Sequence, residues 1–235
     1  MVWEKAIKLP AFLSANDFSF PDPESFGKEG LVAIGGDLLP QRILSAYQQG
    51  IFPWFGSGDP ILWWSPDPRL LLKPACFKTS HSLKQSLKKP YSFKIDTAFD
   101  EVIRACANTD ERINNTWINE EMCEAYIKLH LQGYAHSFEI WNEDILVGGL
   151  YGLSLGNAFF GESMFHHLRD GSKLAMFHLC QTLSSLHFDF IDCQLPSPHL
   201  QSLGAKKISR NKFLHLLQKS LEQPTRRGLW TNLSY

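Results

Sequence analysis

Apolar residues recur along the chain with two periods, which divide it into predicted helices and strands. Ile43, Leu44 and Tyr47 form an apolar stripe at helical spacing, with Pro40 before it and Gly50 after it. Proline suits a first helical turn and glycine a helix end, so a helix is predicted between them. The same spacing predicts helices over residues 83–88, from 99, over 119–131, over 173–186 and from the cap Ser209 to 221, with Ala105 and Phe177 among the inward residues.

Strands are predicted where short apolar or alternating runs are bounded by turn residues. Three such runs follow one another between His136 and Phe165, with turn residues at 142–144 and 156–157, and predict an antiparallel meander. The run FDFIDCQL, residues 188–195, predicts a short buried strand. Helices, a meander, a helix, a strand and a last helix together predict a mixed sheet in an α/β fold of the α+β kind.

The first part of the chain differs in composition from the rest. Residues 1–68 are rich in Pro, Gly and Trp, with loops and short strands around the first helix. So many large apolar side chains are not typical of a linker, and we predict a small irregular N-terminal domain. Residues 69–235 are predicted to form the larger domain.

Length and composition exclude several classes of protein. Of 235 residues, 44% are hydrophobic and 20% charged, which is typical of a globular chain and not of a disordered one. The formal net charge of -1 argues against a polybasic nucleic-acid binder but leaves room for a local basic face. Seven Trp are unusual and suggest flat binding surfaces beside the core.

Several familiar patterns are missing from the sequence. The five Cys have no C-x-x-C spacing and the nine His no H-E-x-x-H, so neither a disulfide framework nor a metal site is expected. Phosphate-loop, dinucleotide and G-x-S-x-G motifs are also missing. The N-terminus has no signal-peptide run, and no run approaches the ~20 apolar residues of a membrane span, so we expect a cytoplasmic protein.

Asp192 and Gln194 are the first candidate site residues. Residues two apart on a strand face the same way, which places a carboxylate beside an amide where the predicted strand ends. Such a carboxylate is able to orient the amide or accept a proton. Alternatively, Asp192 caps the following turn and Gln194 has no role.

Two other positions carry candidate chemistry. Glu162 lies in an apolar run, where an acid is costly unless it is paired or faces a pocket. It either binds a cationic group of a substrate or forms a structural salt bridge with an Arg or Lys. Ser172 and Lys173 open a predicted helix whose first N–H groups are suited to holding a phosphate or polarising a carbonyl, although a Ser there is more often an N-cap.

Aromatic and basic residues suggest a nucleic-acid contact. Trp54 lies between Pro53 and Phe55 in a predicted loop, where an exposed indole is able to stack on a base. A group of five lysines is suited to binding phosphates of a nucleic acid or, alternatively, is only a solvated face. Its members are Lys78, Lys84, Lys88, Lys89 and Lys94.

Residues 30–69, GLVAIGGDLLPQRILSAYQQGIFPWFGSGDPILWWSPDPR, carry a recognisable signature. Further motifs follow in order: TWI at 116–118, EAY at 124–126, GGLYG at 148–152, FFGESMF at 159–165, SK at 172–173, IDCQ at 191–194 and SLGA at 202–205. In these motifs, which extend over nearly the whole chain, the sequence resembles the leucyl/phenylalanyl-tRNA–protein transferases.

The resemblance implies an activity. These enzymes move Leu or Phe, and Met less well, from aminoacyl-tRNA to the α-amine of proteins that begin with Arg or Lys. The product is recognised by the bacterial N-degron machinery. The larger domain would be similar to acetyl-CoA-dependent (GNAT-like) N-acetyltransferases, but with no coenzyme or metal. We expect a monomer by default.

The resemblance also implies roles for matched residues. Asp192 would polarise Gln194, and the Gln194 amide would engage the attacking amine by orientation more than by proton abstraction. Glu162 would hold the basic first residue of the acceptor. The remaining matches are Tyr47 and Tyr126 on the acceptor side, Trp54 and Trp117 at the 3′ adenosine of the tRNA, Ser172 near the donor, and Leu150, Phe159, Met164 and Leu179 around the donor side chain.

The pocket differs from the family pattern at two positions. Leu179 occupies a place for a larger aromatic residue, and Leu150 one where Met also occurs, so the ranking of Leu, Phe and Met stays open. Two alternative functions also stay open: a non-catalytic module that binds the tRNA 3′ end, and an acyl-CoA-dependent N-acetyltransferase.

Overall fold

The structure is a computed structural model that describes residues 8–109 and 116–231. These residues form strands β1 (Ala11–Leu13), β2 (Leu31–Gly35), β3 (Phe52–Pro53), β4 (Leu62–Trp64), β5 (Arg69–Leu72), β6 (Ser92–Ile95), β7 (Ala135–Asn142), β8 (Ile145–Leu155), β9 (Ala158–His166), β10 (Phe190–Asp192) and β11 (Lys206–Ile208). The helices are α1 (Pro40–Gln48), α2 (His81–Ser86), α3 (Phe99–Ala107), α4 (Glu120–Leu131), α5 (Gly171–Ser185), α6 (Pro198–Ser202) and α7 (Arg210–Leu221).

The strands form two sheets. The smaller has the order β1-β2-β4-β3 and the larger the order β11-β5-β10-β9-β8-β7-β6. Strand β10 runs parallel to β9, whereas the other pairs of the large sheet are antiparallel. The predicted mixed α/β class and the β7-β8-β9 meander are therefore confirmed.

The predicted helices are present, with corrections at their ends. Helix α2 begins at His81 because the Ser80 hydroxyl caps it, and α5 begins at Gly171, two residues before the predicted start. The prediction that Ala105 and Phe177 face inward was wrong, because both are only half-buried. Cys106 lies on the buried face of α3 in place of Ala105.

Strand β5 and the short elements β11 and α6 were not predicted. The β5 sequence, RLLL, is buried at every position, so it lacks the polar-apolar alternation that marks a half-exposed strand. Its neighbours are β11 on one side and β10 on the other. Burial on both faces explains how Arg69, its first residue, comes to lie inside the protein.

Apolar residues pack on both faces of the large sheet. Tyr151 of β8 belongs to one cluster with α1, α3 and α4, and the neighbouring Leu150 belongs to the other cluster with α5. The first cluster also contains Val32 and Trp63 of the small sheet. Because one core joins the two sheets, the division into domains at residue 68 stays a prediction.

Candidate active site

Glu162 lies at an irregularity between β8 and β9. Tyr151 pairs with Ser163 and Gly152 with Gly161, so Glu162 is an extra residue on its strand. A β-bulge of this kind re-aims a side chain, and bulges are common beside active sites. Gly152 permits the close approach, since a Cβ there would lie 2.2 Å from the carbonyl oxygen of Phe160. The bulge therefore gives the Glu162 carboxylate a direction that the regular alternation of side chains along β9 would not give it.

Three side chains donate hydrogen bonds to the Glu162 carboxylate. The Tyr47 hydroxyl donates to Oε1 at 2.6 Å and the Tyr126 hydroxyl to Oε2 at 3.1 Å. Gln194 Nε2 donates to Oε1 at 2.9 Å. The two tyrosine hydroxyls are themselves 2.6 Å apart. The structure therefore brings together four of the residues selected from the sequence.

No ion pair to Glu162 occurs within residues 8–109 and 116–231. The structural salt bridge considered from the sequence is therefore not found in this part of the chain. Burial raises the pKa of Glu162 to about 7, although the bonds from Tyr47 and Tyr126 favour the ionised form. Burial also raises the pKa of both tyrosines well above their ordinary value, so they remain hydroxyl donors.

Tyr47 and Tyr126 are fully buried. Their hydroxyls contact Glu162 and each other, and neither side chain lines the pocket described below. We expected both on the acceptor side of the site. The geometry makes them supports of the carboxylate, because their rings lie in the core behind it.

Asp192 is fully buried and paired with an arginine that the sequence analysis missed. Arg69 donates from Nε to both carboxylate oxygens at 2.9 and 3.1 Å, and from Nη2 to Oδ2 at 2.6 Å. Asp192 Oδ1 also accepts from the backbone N–H of Gln194 at 2.9 Å. Asp192 therefore caps the turn, as the alternative interpretation held, and the side-chain amide of Gln194 reaches Glu162. Strand alternation does not extend to Gln194, since β10 ends at Asp192.

An apolar pocket of about 100 Å³ opens beside Glu162 and Gln194; we call it the side-chain pocket. Three of the residues predicted around the donor side chain, Leu150, Met164 and Leu179, lie in its wall. The rest of its wall is formed by Tyr151, Gly161, Ser163, Met176, Ile191, Cys193 and Leu200. Met176 and Leu179 both belong to α5, and the apolar periodicity of this helix gave no sign of a cavity.

Phe159 was wrongly predicted to line this pocket. It is fully buried, with its ring centre 6.1 Å from that of Phe138 and 6.5 Å from that of Trp230. It shares a hydrophobic cluster with Leu150 and Leu179 but is absent from the pocket wall. Phe159 therefore supports the wall from within the core.

A second pocket, of about 410 Å³, is lined in part by the residues that follow Gln194; we call it the aromatic pocket. Its wall consists of Lys28, Glu29, Phe52, Trp54, Trp64, Pro66, Asp67, Pro68, Leu195 and Pro196. Trp54 is 42% exposed and packs edge-on against Trp64, with ring centres 6.2 Å apart. Trp54 is thus available for stacking, as its loop position suggested.

Trp117 is not part of the aromatic pocket. It is half-buried and packs against the cluster that contains α3 and α4. Trp117 and Trp54 therefore do not share the wall of this pocket. Lys78, Lys84, Lys88, Lys89 and Lys94 are all exposed.

Ser172 is buried in the first turn of α5 and lines neither pocket. The residue before the helix is Asp170, in the left-handed conformation, and its carboxylate accepts from Lys173 and Ser86 at 2.9 and 3.0 Å. The predicted position of Ser172 near the donor therefore has no support from the pocket walls.

The described residues contain neither a metal-ligand cluster nor a membrane-spanning helix. No group of three or more His, Cys, Asp or Glu is placed to hold a metal ion in this part of the chain. No helix in the same residues is long and apolar enough to cross a membrane.

An apolar side-chain pocket, a carboxylate without a cationic partner in the described chain and a neighbouring aromatic pocket fit an enzyme that joins two substrates. A site with these three parts is suited to a group-transferring enzyme.

Comparison with known proteins identifies the family. The sequence model of the leucyl/phenylalanyl-tRNA protein transferases matches residues 71–218, and that of their N-terminal domain matches residues 36–67. A leucyl/phenylalanyl-tRNA–protein transferase of Legionella pneumophila (strain Corby) is 59% identical, covering 92% of this chain and 97% of the relative. One from Anaeromyxobacter dehalogenans (strain 2CP-C) is 50% identical, covering 94% and 96%. The chain belongs to the leucyl/phenylalanyl-tRNA–protein transferase family and is an aminoacyltransferase.

Similarity to solved structures is weak. The C-terminal domain of a putative lysylphosphatidylglycerol synthetase from Agrobacterium fabrum is 8% identical with a TM-score of 0.40, over 82% of this chain and 64% of that one. An L-PGS structure from Bacillus licheniformis is 9% identical with a TM-score of 0.36, over 87% and 69%.

Proposed function

We propose that this enzyme transfers Leu or Phe, and Met less well, from aminoacyl-tRNA to the α-amine of proteins whose first residue is Arg or Lys. One observation supports the preference for acceptors that begin with Arg or Lys. The Glu162 carboxylate lines the side-chain pocket and has no cationic partner among the described residues. A largely buried carboxylate without a counter-charge is costly, so an incoming cation is favoured there.

The donor side chain occupies the apolar part of the side-chain pocket, and Glu162, in the same wall, is left for the acceptor's cation. Leu150, Met164 and Leu179 give that pocket an apolar wall suited to Leu, Phe or Met. Ile and Val carry bulk at Cβ, close to the reacting carbonyl, and are disfavoured if the entrance is narrow. Selection among apolar side chains that differ by one methyl is worth only ~1–3 kcal/mol, so some mischoice is expected.

The 3′ adenosine of the tRNA stacks on Trp54 in the aromatic pocket, which contributes ~1–3 kcal/mol. The two pockets share one turn of the chain, because Gln194 lines one and the next two residues, Leu195 and Pro196, line the other. An aminoacyl-adenosine end lying across this turn fills both pockets at once. Trp117 is expected to contribute less than Trp54 to binding of the adenosine, because its described contacts lie in the core.

Gln194 orients the attacking amine. A carboxylate only accepts hydrogen bonds, so the Gln194 nitrogen is the atom that faces Glu162 at 2.9 Å. The amide oxygen is then left to accept from the acceptor's α-amine. Asp192 contributes by holding the Gln194 backbone, at 2.9 Å. The amine must be aligned with an ester that is already activated, and alignment is the main catalytic task.

The reaction moves one acyl group and one proton. The amine nitrogen attacks the carbonyl carbon of the aminoacyl ester and forms a peptide bond. The ester C–O bond breaks, and the tRNA hydroxyl takes the proton that the amine loses. Proteins extended in this way carry Leu, Phe or Met at their N-terminus, which marks them for N-degron-dependent degradation. Because the donor is a charged tRNA, we place this reaction in the cytoplasm.

A transfer assay tests the proposal. Purified protein is incubated with radiolabelled Leu-tRNA or Phe-tRNA and with peptides that begin with Arg, Lys, Ala or Asp. We expect label on the Arg and Lys peptides only. Label on the Asp peptide would overturn the acceptor assignment. Bound tRNA with no label on any peptide would favour the non-catalytic binding module, and donor activity with acetyl-CoA would favour the N-acetyltransferase.

A further inference from the structure

Arg69 is a buried cation next to the site, to which no role has been given so far. Its guanidinium holds Asp192 through bonds of 2.9, 3.1 and 2.6 Å. Its central carbon lies 4.8 Å from the ring centre of Phe52 and 4.4 Å from that of Phe213. A planar fork packed against two rings fixes the position of the carboxylate that it binds.

Asp192 passes this constraint to the next turn. Its Oδ1 accepts the Gln194 backbone N–H, and the Gln194 carbonyl accepts from the N–H of Leu70 at 3.1 Å. The bond from the Cys193 N–H to the Leu70 carbonyl, at 2.8 Å, completes the connection to β5. Gln194 has a φ of 59°, in the left-handed region that residues with a Cβ adopt at a cost. The ion pair therefore holds a conformation that the turn does not favour by itself.

This turn forms part of both pockets. The Gln194 side chain lies in the wall of the side-chain pocket and bonds Glu162, whereas Leu195 and Pro196 line the aromatic pocket. A displaced turn would change the direction of the Gln194 amide and the wall opposite Trp54 together.

We propose that Arg69 is a positioning residue for the transfer reaction: its ion pair with Asp192 holds the turn at residues 194–196 in the shape that aligns amine and ester. The inference rests on the proposed function, because it assigns this turn to that reaction. It makes Asp192 an anchor of the turn and not a proton acceptor.

Arg69→Lys tests the proposal, because lysine keeps the charge but loses the two-pronged geometry. Arg42→Lys is the matched control. Arg42 is also fully buried, and it binds Asp37 at 3.1 and 3.2 Å through two nitrogens, away from both pockets. For each variant, kcat, the KM of an Arg peptide, thermal stability and hydrogen exchange of the backbone amides of residues 193–195 are measured.

We expect Arg69→Lys to lower kcat by roughly 10- to 100-fold, with kcat/KM lowered equally, because the lost alignment matters in the transition state. Exchange at residues 193–195 should become faster. Arg42→Lys should lose thermal stability while its kcat and its exchange at 193–195 stay at wild-type values. A kcat for Arg69→Lys within about twofold of wild type, or an equal loss in Arg42→Lys, would overturn the positioning role.

Two further outcomes separate this inference from the proposed function. If wild-type protein labels no peptide, the proposed function fails. Independently of that result, unchanged exchange at residues 193–195 in Arg69→Lys would overturn the positioning role. If Arg69→Lys does not fold, the double variant Arg69→Met with Asp192→Asn removes both buried charges. It should show the same loss of kcat and the same faster exchange, and wild-type values for both would overturn the inference.

Discussion

Gln194 donates a hydrogen bond of 2.9 Å from its side-chain amide to the carboxylate of Glu162, a residue 32 positions earlier in the chain. This bond connects the turn after β10 to the bulge of β9. It joins the group proposed to orient the amine to the group proposed to bind the acceptor's charge. The two halves of the acceptor site therefore depend on each other.

The tyrosines behind Glu162 should tune its ionisation. Tyr47→Phe or Tyr126→Phe removes a donor to the charged form, and this loss should raise the pKa of Glu162 above about 7. The KM of an Arg peptide is measured from pH 9 down to pH 6. As the pH falls, this KM should begin to rise at a higher pH in the variants than in wild type. Each change should also cost about 1–3 kcal/mol of unfolding free energy.

Tyr151→Phe is the stability control for this series. Tyr151 is buried like the other two, but its hydroxyl has no hydrogen-bond partner in the described chain. Its removal should change the unfolding free energy little. An unmoved pH profile in Tyr47→Phe and Tyr126→Phe would contradict the supporting role.

Acceptor binding should depend on pH with a definite sign. The pKa of Glu162 is raised from 4.5 to about 7, so the carboxylate is mostly charged only above about pH 7. The KM of an Arg peptide should therefore rise as the pH falls below this value. Glu162→Gln should give a high KM without this dependence, and a wild-type KM that is flat from pH 6 to pH 8 would be inconsistent with the assignment.

The same pKa makes a prediction for stability. Because the folded chain binds this proton more tightly than the unfolded chain, the stabilisation is complete below pH 4.5 and is lost as the pH rises to about 7. Glu162→Gln should gain stability relative to wild type over that window, by an amount on the order of 3 kcal/mol. Denaturant unfolding of both proteins at pH 4.5 and pH 8 measures it, and a constant difference would contradict it.

Donor choice should depend on Leu179. Leu179→Ala enlarges the side-chain pocket, so the ratio of kcat/KM for Phe-tRNA to that for Leu-tRNA should rise about tenfold. Leu174→Ala is the control, since Leu174 is buried on the same helix but absent from the pocket wall. Both variants should lose stability, and an equal change of ratio in both would show that the cavity does not select the donor.

Trp54 should contribute more to donor binding than Trp117. Trp54→Ala removes an exposed indole from the aromatic pocket and should weaken aminoacyl-tRNA binding by ~1–3 kcal/mol, with the peptide KM unchanged. Trp117→Ala should mainly lower thermal stability, because Trp117 packs on the core. Filter binding and thermal melts measure the two effects. The reverse order of effects on binding would place the adenosine elsewhere.

Exposed lysines around α2 should contact tRNA phosphates. Lys84→Ala and Lys88→Ala should each weaken the binding of aminoacyl-tRNA. Each should also make the slope of log K against log salt concentration shallower, by about the contribution of one phosphate contact. Lys128→Ala, an exposed lysine on α4, serves as the comparison. If Lys84→Ala and Lys88→Ala bind like wild type at every salt concentration, the basic face is only solvated.

Much of the fold followed from periodicity. The meander has clear turns, α4 and α7 follow the caps Asn119 and Ser209, and α1 has an apolar stripe between Pro40 and Gly50. The structure has these elements where the sequence placed them. Strand β5 was not predicted, because a strand that is buried on both faces has no alternation of polar and apolar residues. Its Arg69 could not be assigned from one sequence, since the partner Asp192 lies 123 positions later.

The site was predicted in parts. Glu162 was detectable because an acid in an apolar run must have a reason to be there, but the bulge that turns it depends on strand register. Phe159 was misplaced, because apolar residues of one run can line a cavity or lie behind it. The direction of the Gln194 side chain depends on a left-handed turn, which no residue pattern at this position indicates.

The most direct measurement compares peptides that begin with lysine or with norleucine, its uncharged analogue, in wild type and Glu162→Gln. We predict that wild type prefers lysine by about 100-fold or more in kcat/KM, and that Glu162→Gln reduces this preference to within a few-fold while its norleucine reaction is retained. A lysine preference that survives in Glu162→Gln would contradict the account, because another group would then bind the acceptor's charge.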